Sequence, residues 1–298
     1  MNKKNIVLFF LLLAAGCGPG QRETGCPGRE FTDDLGRKVM LPARVDRVIS
    51  FAPSLTEMIY ALGAGDKLVG VTSWCNWPPQ AKEKPAVGDI MNPNFERMVS
   101  LKPDLVVMIG ARPGPVLNRL ESLGIKVLVF RDEDFSDIGR AIAALGRALG
   151  LEKRADSLNS AIAAQLDSLK AEAAKIEPGK RPKVFAEIGF NPLFTAGGQS
   201  FIGQMITQAG GLNIAEDMGD YYAAINPEKV VKENPDVILL LHPQASVKEV
   251  HQRLGWQGIS ALKNRRVYGN LDQDVILRPG PRFIQGLKLL HSVFYEKH

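Results

Sequence analysis

The strongest constraint on the fold is a passage that occurs twice. Asn94-Phe-Glu-Arg-Met-Val-Ser-Leu-Lys-Pro-Asp-Leu-Val-Val and Asn226-Pro-Glu-Lys-Val-Val-Lys-Glu-Asn-Pro-Asp-Val-Ile-Leu share the pattern N-x-E-[RK]-x-V-x3-P-D followed by an apolar run. An Asn at a helix N-cap accepts from free first-turn amides, and a Glu two residues on sits against the positive helix end. Pro103 and Pro235 end each helix. The runs Leu105 to Ile109 and Val237 to Leu241 are too short and too β-branched for core helices, so they read as strands buried on both faces. The second copy starts 132 positions after the first, too far for a solenoid period, which predicts two similar lobes.

The rest of the chain fits that frame. Phe31 to Pro42 alternates around a turn at Asp34 to Gly36 and predicts a hairpin. Strands at Arg47 to Phe51 and Leu68 to Val71 bracket a helix opening at Pro53, and Leu117 to Leu123 with Ile125 to Phe130 adds another helix-strand pair. This is a doubly wound α/β pattern. From Phe135 to about Lys175 the apolar spacing is helical, interrupted only near Gly150, giving one long helix or two in series. The α/β pattern restarts at Val184 to Ile188, with a helix at Phe201 to Ala209, the second repeat, a strand at Arg266 to Tyr268 and a last helix from Pro281 to Tyr295. The expected division is 1–16 signal peptide, 17–30 tether, 31–133 first α/β lobe, 134–178 linker helix and 179–298 second α/β lobe, with a ligand cleft between the lobes.

With 45% apolar and 23% charged residues, the 298-residue chain has an ordinary globular composition. The net charge of +5 includes Lys3 and Lys4, and no Arg/Lys cluster with interleaved aromatics is present, so nucleic acid is not an expected partner. Asn2-Lys3-Lys4, the apolar run Ile6 to Ala15 and Gly16-Cys17 form a secretory signal, about half the length of a membrane span. The protein is therefore expected outside the cytoplasm. The Gly/Pro-rich stretch to Gly28 reads as a flexible tether. Cys26 and Cys75, in an exported chain, allow either a disulfide or two free thiols.

Catalytic signatures are absent: there is no G-x-S-x-G, Walker loop, H-E-x-x-H or C-x-x-C. Gly197-Gly-Gln-Ser200 is a Gly turn before a helix, and the four scattered histidines predict no metal site. An enzyme is not expected, although a two-lobed cleft enzyme is the reading from a different class. The strand-end loops instead carry aromatics: Trp74 and Trp77, braced by Pro78-Pro79, in the first lobe, and Phe194 and Tyr221-Tyr222 in the second. Such rings bury large apolar area against a flat ligand at low entropic cost.

These residues carry a family resemblance. Arg47 to Glu57, Val69 to Pro79, Asn94 to Arg97, Lys102 to Val106, Asn191 to Gly197 and Asn226 to Lys229 resemble the helical-backbone class of periplasmic binding proteins serving cobalamin, haem and siderophore ABC importers. The likeness runs from about residue 40 to the C-terminus. It is strongest to the cobalamin-binding members, through the aromatic-Pro-Pro loop and N-P-x-F-T-[AS]-G. The resemblance implies a monomer of two lobes bridged by a long helix, a corrinoid clamped between them, no cofactor, and delivery to an ABC permease. By position, ligand binding would fall to Trp74, Trp77, Phe194, Tyr222 and Asp274. Permease docking would fall to Glu96 and Glu228, one per lobe. A family tryptophan falls on Ile90 here. Leu13-Ala-Ala-Gly-Cys17 resembles a bacterial lipoprotein signal, with Ala14 where Leu is usual, and implies a lipid anchor on Cys17 as the contact with the membrane. A haem or ferric-siderophore ligand is the alternative within the class; Arg112, Arg278 or Arg282 would suit an anionic ligand, and Tyr221 or Tyr222 would serve as iron ligand.

Overall fold

The computed structural model describes residues 28–296 apart from Ala111, Pro113 and Ala245. The signal peptide, Cys17 and Cys26 lie outside the described residues. The first lobe opens with the hairpin β1 (Arg29–Thr32) and β2 (Lys38–Leu41), so the folded chain begins inside the stretch read as tether. Then follow β3 (Val48–Ser50), α1 (Pro53–Ala61), β4 (Leu68–Val71), α2 (Phe95–Ser100), β5 (Leu105–Ile109), α3 (Pro115–Ser122) and β6 (Val127–Phe130). The sheet order is β4-β3-β5-β6, all parallel. A parallel edge exposes unpaired amides and carbonyls. The hairpin turn covers part of the β6 edge: Asp34 N donates to Val129 O at 3.1 Å, and Arg131 N donates to Asp34 Oδ2 at 2.8 Å.

The helical segment is α4 (Phe135–Leu149) and α5 (Glu152–Ala174). They do not run in series. Gly150 caps α4 at φ +72°, in the left-handed region that Gly enters freely, and the chain reverses. Asn159 Nδ2 donates to Gly139 O at 3.0 Å, and a Cβ at Gly146 would lie 2.4 Å from that of Ala155, so the hairpin closes only around a Gly there. Helix α5 spans the two lobes: Arg154 Nη1 donates to Leu62 O at 3.1 Å, while near its other end Ala173 O accepts from Arg181.

The second lobe comprises β7 (Lys183–Gly189), β8 (Phe194–Ala196), α6 (Phe201–Gln208), β9 (Leu212–Asn213), β10 (Tyr222–Ala224), α7 (Pro227–Glu233), β11 (Val237–Leu240), α8 (Val247–Gln252), α9 (Ser260–Lys263), β12 (Val267–Tyr268), α10 (Gln273–Ile276) and α11 (Phe283–Tyr295). Its sheet runs β10-β8-β7-β11-β12, with β9 also on β7; β8 runs antiparallel to both of its neighbours, β7 and β10, and the other pairs are parallel. One apolar core runs from Val48 and Leu55 through Ile138 and Leu145 of α4 to Val184 and Leu287, and each sheet packs a separate cluster on its other face.

The repeat performs the same task in both lobes. Asn94 Oδ1 accepts from Arg97 N and Asn226 Oδ1 from Glu228 N, so both are N-caps. Lys102 and Asn234, just before the prolines, are left-handed at φ +45° and +49°. The Asp then fixes the neighbouring strand. Asp104 N donates to Arg47 O while its Oδ2 accepts from Asp46 N and Arg47 N, all at 2.8 Å; Asp236 N donates to Lys183 O at 2.8 Å and its Oδ2 accepts from Lys183 N at 2.9 Å. Each P-D thereby sets the register between the repeat strand and the strand that opens the lobe's sheet.

Candidate ligand cleft

Parallel α/β sheets collect ligands beyond the carboxyl ends of their strands. In the first lobe β4 runs into Thr72-Ser-Trp-Cys-Asn-Trp77. This loop is nailed down by Cys75, a buried free thiol whose Sγ lies 3.1 Å from both Thr56 Oγ1 and Thr72 Oγ1. With Cys75 turned inward, Trp74 and Trp77 turn outward, 66% and 43% exposed. Large rings left this open at a strand end are the notable feature of the surface.

In the second lobe Phe194 and Tyr222 belong to the β8–β10 ribbon. Tyr222 pairs with Ala196 and Ala224 with Phe194, so the two rings are diagonal neighbours on one face. The Tyr222 phenol is pushed up to about 12, by desolvation first and then by the charges of Asp132 and Glu133 at the end of β6. The side chain as a whole remains 43% exposed. Asp132 is itself raised to about 6, by burial, then by Asp137 and Glu133.

Between the lobes lies a charged contact. Glu57, at the start of the second turn of α1, is 4% exposed. Arg278 Nη1 donates to its Oε1 at 3.3 Å, Arg282 Nη2 to the same oxygen at 2.8 Å and Arg282 Nε to Oε2 at 3.0 Å. Arg278 also donates to Asn76 Oδ1 at 2.6 Å and to Trp74 O at 3.4 Å, and pairs with Asp274 at 2.7 Å. Asn76 Nδ2 donates to Asp274 Oδ2 at 2.7 Å. The Arg282 guanidinium lies 4.6 Å from the centroid of the Trp77 ring.

The expected residues therefore fall into two groups. Trp74, Trp77 and Asp274 are joined by this network, and Phe194 and Tyr222 share the ribbon; among the described residues no ring contact links the groups. A cavity of about 690 Å³ lies in the first lobe, bounded by Ile90, Met91, Phe95, Met108 and Val116 with Arg112 and Arg119. Ile90 lines it; the five expected ligand residues do not. Glu96 and Glu228 sit in the first turns of α2 and α7, exposed, and neither carboxylate makes an ion pair or hydrogen bond among the described residues. No group of three His, Cys, Asp or Glu placed to hold a metal occurs among those residues. Sequence reasoning missed Glu57 and Asn76. Glu57 carries one signal: it sits among apolar residues of an otherwise buried helix face, where an unpaired charge is untenable.

The family model described as periplasmic binding protein matches residues 48–273. The chain belongs to the periplasmic binding protein family. As a member it is a solute-binding protein rather than an enzyme, is exported, and serves as the substrate-binding component of an ABC importer alongside permease subunits. An uncharacterized ABC transporter substrate-binding lipoprotein of Bacillus subtilis (strain 168) is 33% identical over 99% of this chain and 98% of its own length. The vitamin B12-binding protein of Vibrio vulnificus (strain CMCP6) is 29% identical over 83% of this chain and 89% of its own. Among solved structures, the apo haem-binding protein from Roseiflexus sp. RS-1 superposes with a TM-score of 0.74 at 28% identity, covering 85% of this chain and 98% of that one. The periplasmic binding protein fold is thus shared by relatives whose names carry different ligands.

Proposed function

We propose that this periplasmic binding protein captures cobalamin or a related corrinoid between its lobes and delivers it to the permease. The observation that carries the reading is the pair of open tryptophans: Trp74 and Trp77 present wide apolar faces at a strand end, opposite a lobe that offers Phe194 and Tyr222. Flat rings from both lobes suit a broad, largely apolar disc. Asp274, each of whose oxygens has a second lone pair beyond Asn76 and Arg278, would meet amides on the disc's rim. The vitamin B12-binding relative supports the same reading. Glu96 and Glu228, unpaired and equivalent in the two lobes, would dock onto the permease, and Cys17 would carry the lipid anchor.

A haem or ferric-siderophore ligand is favoured by Arg112 and Arg119 at the first-lobe cavity and by the haem-binding neighbour. Against it, Arg278 and Arg282 already neutralise Glu57 and Asp274, and Tyr222, with its phenol raised to about 12, is a poor phenolate donor to iron. Absorbance titration of the purified protein with cyanocobalamin, haemin and a ferric siderophore separates these ligands. Saturable spectral change with cyanocobalamin at micromolar concentration is expected; none with it, and binding of haemin instead, overturns the corrinoid reading.

A further inference from the structure

The open aromatic wall of the first lobe is built on that lobe and braced from the other. Glu57 is the centre of the bracing. It is buried, lies in α1 one helical turn from Ser54, and receives three hydrogen bonds from two arginines of the second lobe. The arginine-bearing loop approaches α1 closely: a Cβ on Gly280 would lie 3.4 Å from Glu57 Oε2 and 3.5 Å from Ser54 Cα. Four charges take part: Glu57, Asp274, Arg278 and Arg282. They sum to zero, so the buried Glu57 is compensated within a partly exposed cluster. The two arginines also leave the cluster in the direction of the tryptophans. Arg278 holds the backbone oxygen of Trp74 and the side chain of Asn76, and Arg282 lies against the Trp77 ring.

We propose that Glu57 is a positioning residue for the ligand cleft. By fixing the planes of Arg278 and Arg282, it holds Trp74 and Trp77 in the orientation that receives the ligand, without touching the ligand itself. The planar, forked guanidinium is what lets one residue grip a carboxylate along its edge and lie against an indole with its face, a combination that lysine cannot reproduce. The ligand arm of the test rests on the corrinoid reading; the positioning itself does not.

Removing Glu57 alone leaves the half-buried Arg282 without its carboxylate partner and endangers folding, so the decisive variant is charge-balanced. Glu57→Gln combined with Arg282→Met removes one charge of each sign and leaves Arg278 with Asp274. Among the three tryptophans, Trp256 is 2% exposed, so acrylamide quenching of the unliganded protein reads Trp74 and Trp77. The expected result is a quenching slope raised about twofold as the arginine leaves the indole face. Cyanocobalamin Kd should rise by about tenfold, with the urea midpoint near that of the wild type. Arg282→Lys keeps the charge on Glu57 but lacks the planar cover; it is expected to quench like the double variant, whereas a purely charge-balancing role would leave it like the wild type. Wild-type quenching and wild-type affinity in folded double variant overturn the proposal. If wild-type protein does not bind cyanocobalamin, the corrinoid reading falls and the quenching slopes alone decide the positioning role.

Discussion

Glu187 in the second lobe and Glu57 in the first are both almost wholly buried, yet they find their counter-charges in different places. Glu187, near the end of β7, is gripped by Arg253 from its own lobe at 2.5 and 2.7 Å, with His242 Nε2 3.0 Å from Oε1. Arg253 is stacked in turn between Phe190 and Trp256, with centroids at 4.4 and 4.7 Å. Among the described residues Glu57 has no such partner on its own lobe; both of its arginines come from across the cleft. Glu187 is satisfied within its own lobe, whereas Glu57 and Arg282 are satisfied only when the two lobes are together.

The largest effects should come from breaking either cluster. Glu187→Ala and Glu57→Ala are each expected to cost about 3–5 kcal/mol in urea unfolding, the usual penalty for stranding a buried charge. They should differ in shape: Glu57→Ala increases the radius of gyration in small-angle scattering, Glu187→Ala does not, and equal radii would erase the contrast. On the ligand side, Trp74→Ala should weaken corrinoid binding by about 2 kcal/mol, roughly thirtyfold, as an exposed aromatic anchor does. Tyr222→Ala should cost less, because its ring is smaller and less open than that of Trp74, 43% against 66% exposed; calorimetry ranks the two.

The repeat offers a subtler contrast. Asp104 accepts from two backbone amides and Asp236 from one, so Asp104→Ala should destabilise by about 1–3 kcal/mol and Asp236→Ala by less. Asp132, just after β6, carries the clearest pH signature. Its folded pKa of about 6 lies above the ordinary carboxyl value, so the folded state binds the extra proton and this group's contribution grows as pH falls from about 7 towards 4. Asp132→Asn should therefore be more stable than wild type at pH 8 and gain less on acidification to pH 5, read from urea midpoints at each pH. The smallest effect on stability belongs to Glu96→Ala with Glu228→Ala, within about 0.5 kcal/mol for exposed sites. That variant should still bind ligand while uptake falls; uptake at the wild-type rate removes the docking proposal.

What the sequence disclosed follows from how local each cause is. Leu105 to Ile109 and Val237 to Leu240 were legible because a proline, an aspartate and an unbroken apolar run lie within a dozen residues of one another. The ribbon of Phe194 to Ala196 and Tyr222 to Ala224 was not, since three-residue strands carry no readable alternation. The reversal at Gly150 was half legible: the Gly marks a break, but the direction after it depends on Gly146 admitting Ala155. Trp74 and Trp77 were legible as open rings because a Pro-stiffened loop leaves them little to pack against. Arg278 and Arg282 read as free cations for an anionic ligand, because their partner Glu57 lies more than 220 positions away and only the closed fold brings it near.

The helical hairpin also links the start of the described chain to the second lobe. Arg29, at the head of β1, donates to the carbonyls of Arg147 and Ala148 at 2.8 Å, at the Gly150 end of α4. The opposite end of α4 carries Phe135, packed against Phe201 and Phe283 of the second lobe. A helix of 15 residues separates these points by about 22 Å. The first residues of the described chain are thereby tied to the turn of the hairpin, and not to the loop that carries the tryptophans.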